Sequence, residues 1–146
     1  MNSALSRALF DAQTKHFNPR LLEVRSWMVN LMSYPILDVT FSHPGRKAFR
    51  VRMICSNYDE EPASIELLGE DGFYLAVVPT GSGVINKAKH KKTGRPFICS
   101  PGSLEYHTHQ SHLNDSWESY KGKPGFDLGG VLTQIHNAWH KTKDVP

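Results

Sequence analysis

The chain has 146 residues, 39% of them hydrophobic and 21% charged, with a formal net charge of +3 and a mean hydropathy of −0.43. That is enough to bury one core without metal or disulfide support, and no run approaches the roughly 18 apolar residues of a membrane span. Two cysteines, Cys55 and Cys99, are too few for a disulfide scaffold, and the amino terminus lacks the basic-then-apolar order of a secretion signal, so a reducing cytoplasm is expected.

Residues 3–17 place Leu5, Ala8, Leu9 and Ala12 at helical spacing. Asn18-Pro19 reads as a restart, with asparagine as N-cap and proline at the first helical position. Leu21, Leu22, Val24, Trp27, Met28, Leu31 and Met32 then give a broad apolar face that predicts a second helix ending before Tyr34-Pro35. Residues 1–33 are thus expected to be helical, and residues 34–78 to form an antiparallel sheet. Within that sheet Ile36–Phe41 is β-rich, and His43-Pro44-Gly45 supplies a turn. Phe49, Val51, Met53 and Cys55 alternate with polar or opposite-facing neighbours, which makes Cys55 a small buried hydrophobe. Ala63–Leu68 is a third strand and Phe73–Val78 a fourth, short one.

Residues 79–126 carry no regular pattern. A basic stretch, Lys87, Lys89, His90, Lys91, Lys92 and Arg95, is either a solvated loop or a docking patch for an acidic surface or tail. It holds no aromatic residue, so it offers no stacking platform, and the modest charge argues against a nucleic-acid partner. Residues 127–142 form the clearest helix: Asp127 is the N-cap, Leu128, Val131, Leu132, Ile135 and Trp139 lie on one face, and Gly129 and Gly130 weaken the first turn. The predicted architecture is a single α+β domain, helices packed on a four-stranded antiparallel meander with a long crossing between.

The chemistry concentrates around Cys99. It closes the apolar Phe97-Ile98 and is followed by Ser100-Pro101-Gly102, which cannot continue regular structure. A thiol there is either buried and inert or a nucleophile able to store an acyl group as a thioester, and nearby positive charge would favour its thiolate. Downstream lie Tyr106, His107, His109 and His112. On an extended segment His107 and His109 point to one side, with His112 a turn later, and one histidine of this cluster would assist Cys99 as hydrogen-bond donor or proton shuttle. Three imidazoles could also hold a catalytic metal, although the His-Glu-x-x-His arrangement is missing. His136 and His140 read as helix surface, and Asp115 and Glu118 either act on an incoming amine or are solvated.

These pieces together resemble the ubiquitin-conjugating (UBC-like) enzyme superfamily. The run Phe49–Pro62 followed by Ile65-Glu66-Leu67 is similar to the family's second strand, Tyr-to-Pro turn and third strand. Ile98-Cys99 resembles its Ile-Cys-Leu, Trp117-Glu118-Ser119 its tryptophan after the cysteine, and Leu128–Ile135 its final-helix pattern. The His-Pro-Asn of eukaryotic members is absent, Ser100 stands where leucine is usual, and the gap from Cys99 to Trp117 is long. Cysteine before Pro-Gly and then His-x-His looks more like divergent bacterial members, including the stand-alone conjugating proteins of cyclic-oligonucleotide anti-phage (CBASS) operons.

The resemblance implies a transferase with Cys99 as thioester-forming nucleophile. It implies catalytic assistance from His107 or His109 (or, in place of the missing asparagine, Tyr106), and no cofactor or metal. The implied partner is a cGAS-like nucleotidyltransferase, or a ubiquitin-like protein, loaded through its C-terminus; a homodimer is left open. The alternatives are a non-catalytic UBC-like binding module and a small metal-dependent hydrolase built on His107, His109 and His112.

Overall fold

A computed structural model describes residues 3–79 and 83–142; residues 80–82 of the expected polar stretch and the last four residues lie outside it. The elements run α1 (Ser3–Thr14), α2 (Pro19–Arg25), β1 (Trp27–Ser33), β2 (Ile36–Phe41), β3 (Phe49–Ile54), β4 (Ser64–Leu68), the single turn α3 (Leu104–His107), two 3-10 turns (Gln110–His112 and Trp117–Ser119) and α4 (Leu128–Lys141). The four strands form one antiparallel sheet in the order β1-β2-β3-β4. The α+β reading with an N-terminal helix, a four-stranded sheet and a C-terminal helix therefore holds, but two of its boundaries do not.

The second helix is half the expected length. It starts as predicted, with Asn18 Oδ1 accepting from the Leu21 N–H at 2.9 Å and Pro19 in the first turn. It stops at Ser26, which takes a left-handed conformation (φ 54°) while its N–H donates to the Glu23 carbonyl. Trp27–Ser33 is then the edge strand, so the sheet spans residues 27–68 rather than 34–78. The pairing register shifts between Val29 and Leu31, and Asn30 at the bulge donates to Asp38 Oδ1 (3.0 Å) and Thr40 Oγ1 (2.8 Å). A bulge breaks strict alternation, which leaves an apolar run that fits a helical stripe better than a strand. At the other end Phe73–Val78 is not a strand. One bridge, Leu68 to Tyr74, closes the Gly69–Gly72 turn with Phe73 74% exposed, and the chain leaves the sheet after the Leu75 N–H donates to the Leu67 carbonyl (3.2 Å).

The inner sheet face carries Leu37, Val39, Phe41, Phe49, Val51, Met53, Ile65 and Leu67, all buried, and shares one core with Leu128, Val131, Leu132, Ile135 and Trp139 of α4. Trp139 stacks on Phe49 with ring centroids 6.3 Å apart. Each such side chain contributes on the order of 1.5–3 kcal/mol, so α4 is locked to the sheet. Asp127 caps it as expected, accepting from the Gly130 N–H at 2.7 Å. The glycines that weaken this first turn are there for space: a Cβ on Gly130 would lie 2.5 Å from the Gly125 carbonyl carbon. At the far end Arg46 donates to the His140 and Thr142 carbonyls (3.0 and 2.7 Å) with its guanidinium over Trp139.

The outer sheet face is polar. Arg50 grips Asp38 through both carboxylate oxygens (2.8 and 2.7 Å), and Arg52 pairs with Glu66 at 2.7 Å. Glu66 also receives Arg95 (3.5 Å) and the Tyr74 hydroxyl (2.6 Å), with Arg95 lying over the Tyr74 ring. One cation of the basic stretch is thereby committed to the sheet.

Candidate active site

Cys99 is delivered by a short ladder beyond the sheet. Ile85 bridges Ile98, the Asn86 N–H donates to the Phe97 carbonyl (3.0 Å), and the Cys99 N–H donates to the Val84 carbonyl (2.8 Å). Ile85 and Ile98 are buried, whereas Cys99 is half-buried. The residues after the thiol are tied down at once. Ser103 is buried, donates its hydroxyl to the Ile98 carbonyl (2.7 Å) and accepts from the Tyr106 N–H, so the N-cap of α3 is fastened to the strand that carries the cysteine. The Leu104 N–H donates to the Ala63 carbonyl, and the Glu105 carboxylate accepts from the Ser64 hydroxyl (2.6 Å) and the Ile65 N–H (2.8 Å). Burial pushes Glu105 up from the ordinary carboxylate range, opposed by those two hydrogen bonds. Ser103 and Glu105 fix the site to the sheet, and no sequence motif marks either of them.

The imidazole at the thiol belongs to His112: its Nε2 lies 3.5 Å from Cys99 Sγ. It ends the first 3-10 turn and stacks on Tyr106 with centroids 4.1 Å apart and planes 18° apart. Behind this pair, Tyr106 and Tyr120 donate their hydroxyls to Asp115 (2.5 Å to Oδ2, 2.8 Å to Oδ1). The bonds from Tyr106 and Tyr120, with His107 and His112 nearby, hold the Asp115 carboxyl below its usual range, and the carboxylate in turn raises both phenols. Asp115 is thus an anchored anion, while Glu118 is exposed and pairs with Lys121 at 2.8 Å. Trp117 is buried, its Nε1–H donating to the Asp59 carbonyl at 2.7 Å.

His107 and His109, the expected assistants, are placed differently. They do not share one side of an extended segment, because His107 closes α3. Its Nε2 accepts from the Gly102 N–H (3.1 Å), so its Nδ1 carries the proton that is donated to the Asp115 carbonyl at 2.7 Å. With both nitrogens engaged by backbone, His107 braces the loop and has none left for the thiol or for a metal. His109 accepts at Nδ1 from the Ser111 N–H (3.1 Å) and stacks on Phe97. The three histidines therefore do not converge, and among the described residues no group of three histidine, cysteine or acidic side chains is arranged to hold a metal ion. Among the described residues no helix is long and apolar enough to cross a membrane.

Gly102 completes the loop. Its φ of +104° lies where side chains are rarely accommodated, and a Cβ there would meet Val131 Cγ2 at 2.8 Å. Compared with known proteins, the chain matches no protein-family model and no curated protein.

Proposed function

We propose that the protein is a UBC-like acyl transferase in which Cys99 carries a partner's C-terminal carboxyl as a thioester and passes it to an amine. The observation that carries this reading is the half-buried thiol 3.5 Å from the His112 imidazole, at the end of a ladder that follows a four-stranded meander. A cysteine beside a base needs no further cofactor to accept an acyl group. Cys99 gives its proton to His112 Nε2, and the thiolate attacks the activated carbonyl. The tetrahedral intermediate expels the activating group, which takes the proton. In the second half an amine attacks the Cys99 thioester, the thiolate leaves, and His112 accepts the amine's proton. Activation of the carboxyl takes place elsewhere.

His112 thereby replaces His107 and His109 in the role expected from sequence, and the Asp115 carboxylate, held by two tyrosines, supports the imidazolium that forms. The partner, a cGAS-like nucleotidyltransferase or ubiquitin-like protein in a cytoplasmic anti-phage system, is part of this proposal and rests on the resemblance of the Cys99 segment alone. The test is co-expression with the proteins of neighbouring genes, followed by non-reducing electrophoresis. A reductant-sensitive adduct should appear, vanish in Cys99→Ala, and become reductant-resistant in Cys99→Ser, where an oxyester replaces the thioester. Absence of any adduct, with biological activity intact in Cys99→Ala, would leave a binding module instead.

A further inference from the structure

A cavity of about 200 Å³ lies on the far side of His109 from the thiol's imidazole, and its lining includes Lys91, Lys92, His109, Gln110 and Ser111 and, among the described residues, no carboxylate. Two features make it more than a solvated basic loop. Residues 90–95 close on themselves: the His90 N–H donates to the Arg95 carbonyl (2.9 Å), the Gly94 N–H to the His90 carbonyl (2.7 Å), and the Lys92 N–H to His90 Nδ1 (3.1 Å). His90 itself is only 6% exposed and packs edge-on against Phe97. Lys91 and Lys92 are thus presented by a hydrogen-bonded turn on a buried ring, and among the described residues neither is paired with a carboxylate, unlike Arg95. The facing wall is equally fixed. His109 stacks on Phe97 with planes 12° apart, and because Nδ1 accepts from Ser111, the neutral ring keeps Nε2–H as its donor.

The cavity is also close to the chemistry. The His109 and His112 ring centroids are 5.7 Å apart, and His112 touches the thiol at 3.5 Å. Those steps put the thiol no more than roughly 10 Å from the His109 ring, a span that an extended chain covers in about three residues. Two lysines and an imidazole N–H lining a pocket with no carboxylate among the described residues select an anion, and on a protein tail that anion is an aspartate or glutamate side chain.

We propose that this cavity is the subsite for an acidic side chain about three residues ahead of the terminal carboxyl of the tail loaded onto Cys99. The inference rests on the thioester reading and adds to it the chemistry of the donor. Docking the acid lays the tail along His109 and His112 and brings its terminal carbonyl to the thiol, so part of the orientation entropy is spent before the bond forms.

Synthetic peptide thioesters test it on the full chain. In the exchange, Cys99 thiolate displaces the small thiolate of the peptide thioester, the acyl group moves to Sγ, and the thiol proton ends on the released thiol. Two peptides are compared, acetyl-Ala-Glu-Ala-Ala-Gly and acetyl-Ala-Gln-Ala-Ala-Gly, each as the same alkyl thioester, and acylation is followed by intact-mass spectrometry. The glutamate peptide should load about 10-fold faster at low salt. Lys91→Glu/Lys92→Glu should abolish or invert that ratio, and salt near 1 M should compress it as surface charges are screened. Equal loading of both peptides would overturn the subsite and leave the thioester reading standing. A preference that survives the double charge reversal, or one that appears only when the glutamate is placed in an acceptor peptide, would overturn it as well. Failure of both peptides to acylate the wild type above the Cys99→Ala background would overturn the thioester reading and the subsite with it.

Discussion

Cys55 and Cys99 occupy closely similar local positions. Each follows an extended segment, and each donates its N–H to a carbonyl of the adjoining segment, Pro35 at 2.7 Å and Val84 at 2.8 Å. What covers them differs. Cys55 is 1% exposed within the sheet core, and burial pushes its thiol up to about 12. Cys99 is half-buried with an imidazole at 3.5 Å, because Ser103 turns the chain into α3 and carries His112 back over the thiol. The comparison teaches that the strand places a cysteine, while the segment after it decides between full burial and partial exposure beside an imidazole.

Alkylation kinetics sharpen this contrast most. Cys55 reacts only through opening of the core, which costs up to the global stability of about 5–15 kcal/mol, a factor of about 10⁴ or more. Brief treatment of the native protein, read by peptide mass spectrometry, should label Cys99 alone; label appearing first on Cys55 would end the catalytic assignment. Next in size is the imidazole. His112→Gly should slow transfer about 10²–10⁴-fold, the usual cost of losing a proton-transfer group, and added imidazole should restore part of the rate. His107→Ala should also impair transfer, but through the loop: loss of its bonds to Gly102 and Asp115 costs about 1–3 kcal/mol of stability, and imidazole should restore nothing. Rescue of the His107 variant instead would exchange the two roles.

Gly102 tests whether the loop is held by its backbone shape. Gly102→Ala combines a left-handed φ with a contact 2.8 Å from Val131 Cγ2. It should cost about 2–4 kcal/mol in thermal denaturation. Val131→Ala in the same chain should relieve the steric part and leave the conformational part. An unchanged melting temperature would show that the loop relaxes freely around the cysteine.

Legibility followed periodicity. α4 was readable because Asp127, Val131, Leu132, Ile135 and Trp139 repeat a helical stripe behind a cap. β2, β3 and β4 were readable from β-rich composition, alternation and turn residues. β1 was not, since its bulge at Asn30 scrambles the alternation. Cys99 stood out through Ser100-Pro101-Gly102, but its partner did not. The choice among His107, His109 and His112 turns on a single-turn helix and a three-residue 3-10 turn, elements too short to have a period. It is set by Ser103, an unremarkable serine until its hydroxyl is seen to bridge the cysteine strand and α3. His136 was misplaced for a related reason: its spacing from His140 suggested helix surface, yet its ring packs against Trp27 and Phe41.

That second histidine group gives the smallest and last expected effect, and it contrasts with the site at Cys99 by serving stability. Burial first, then the nearby His140 and Arg25, lowers His136 to about 4. The folded value lies below the ordinary histidine range, so between about pH 6.5 and 4 the unfolded chain binds more protons than the folded one. The contribution is complete above pH 6.5 and is lost as the pH falls through 4. A shift of this size would be worth about 3 kcal/mol for a fully buried ring; solvent screening at a part-exposed one reduces it to about 1–2 kcal/mol. The melting temperature should therefore fall on acidification from pH 7 to 4.5. In His136→Phe, which keeps an aromatic ring against Trp27 and Phe41 but cannot titrate, the fall should be shallower by a few degrees, at about 2–4 °C per kcal/mol. His90 and His140, also lowered by burial, keep the remaining slope from vanishing. Identical acid slopes in the two proteins would mean that His136 is already solvated in the folded state.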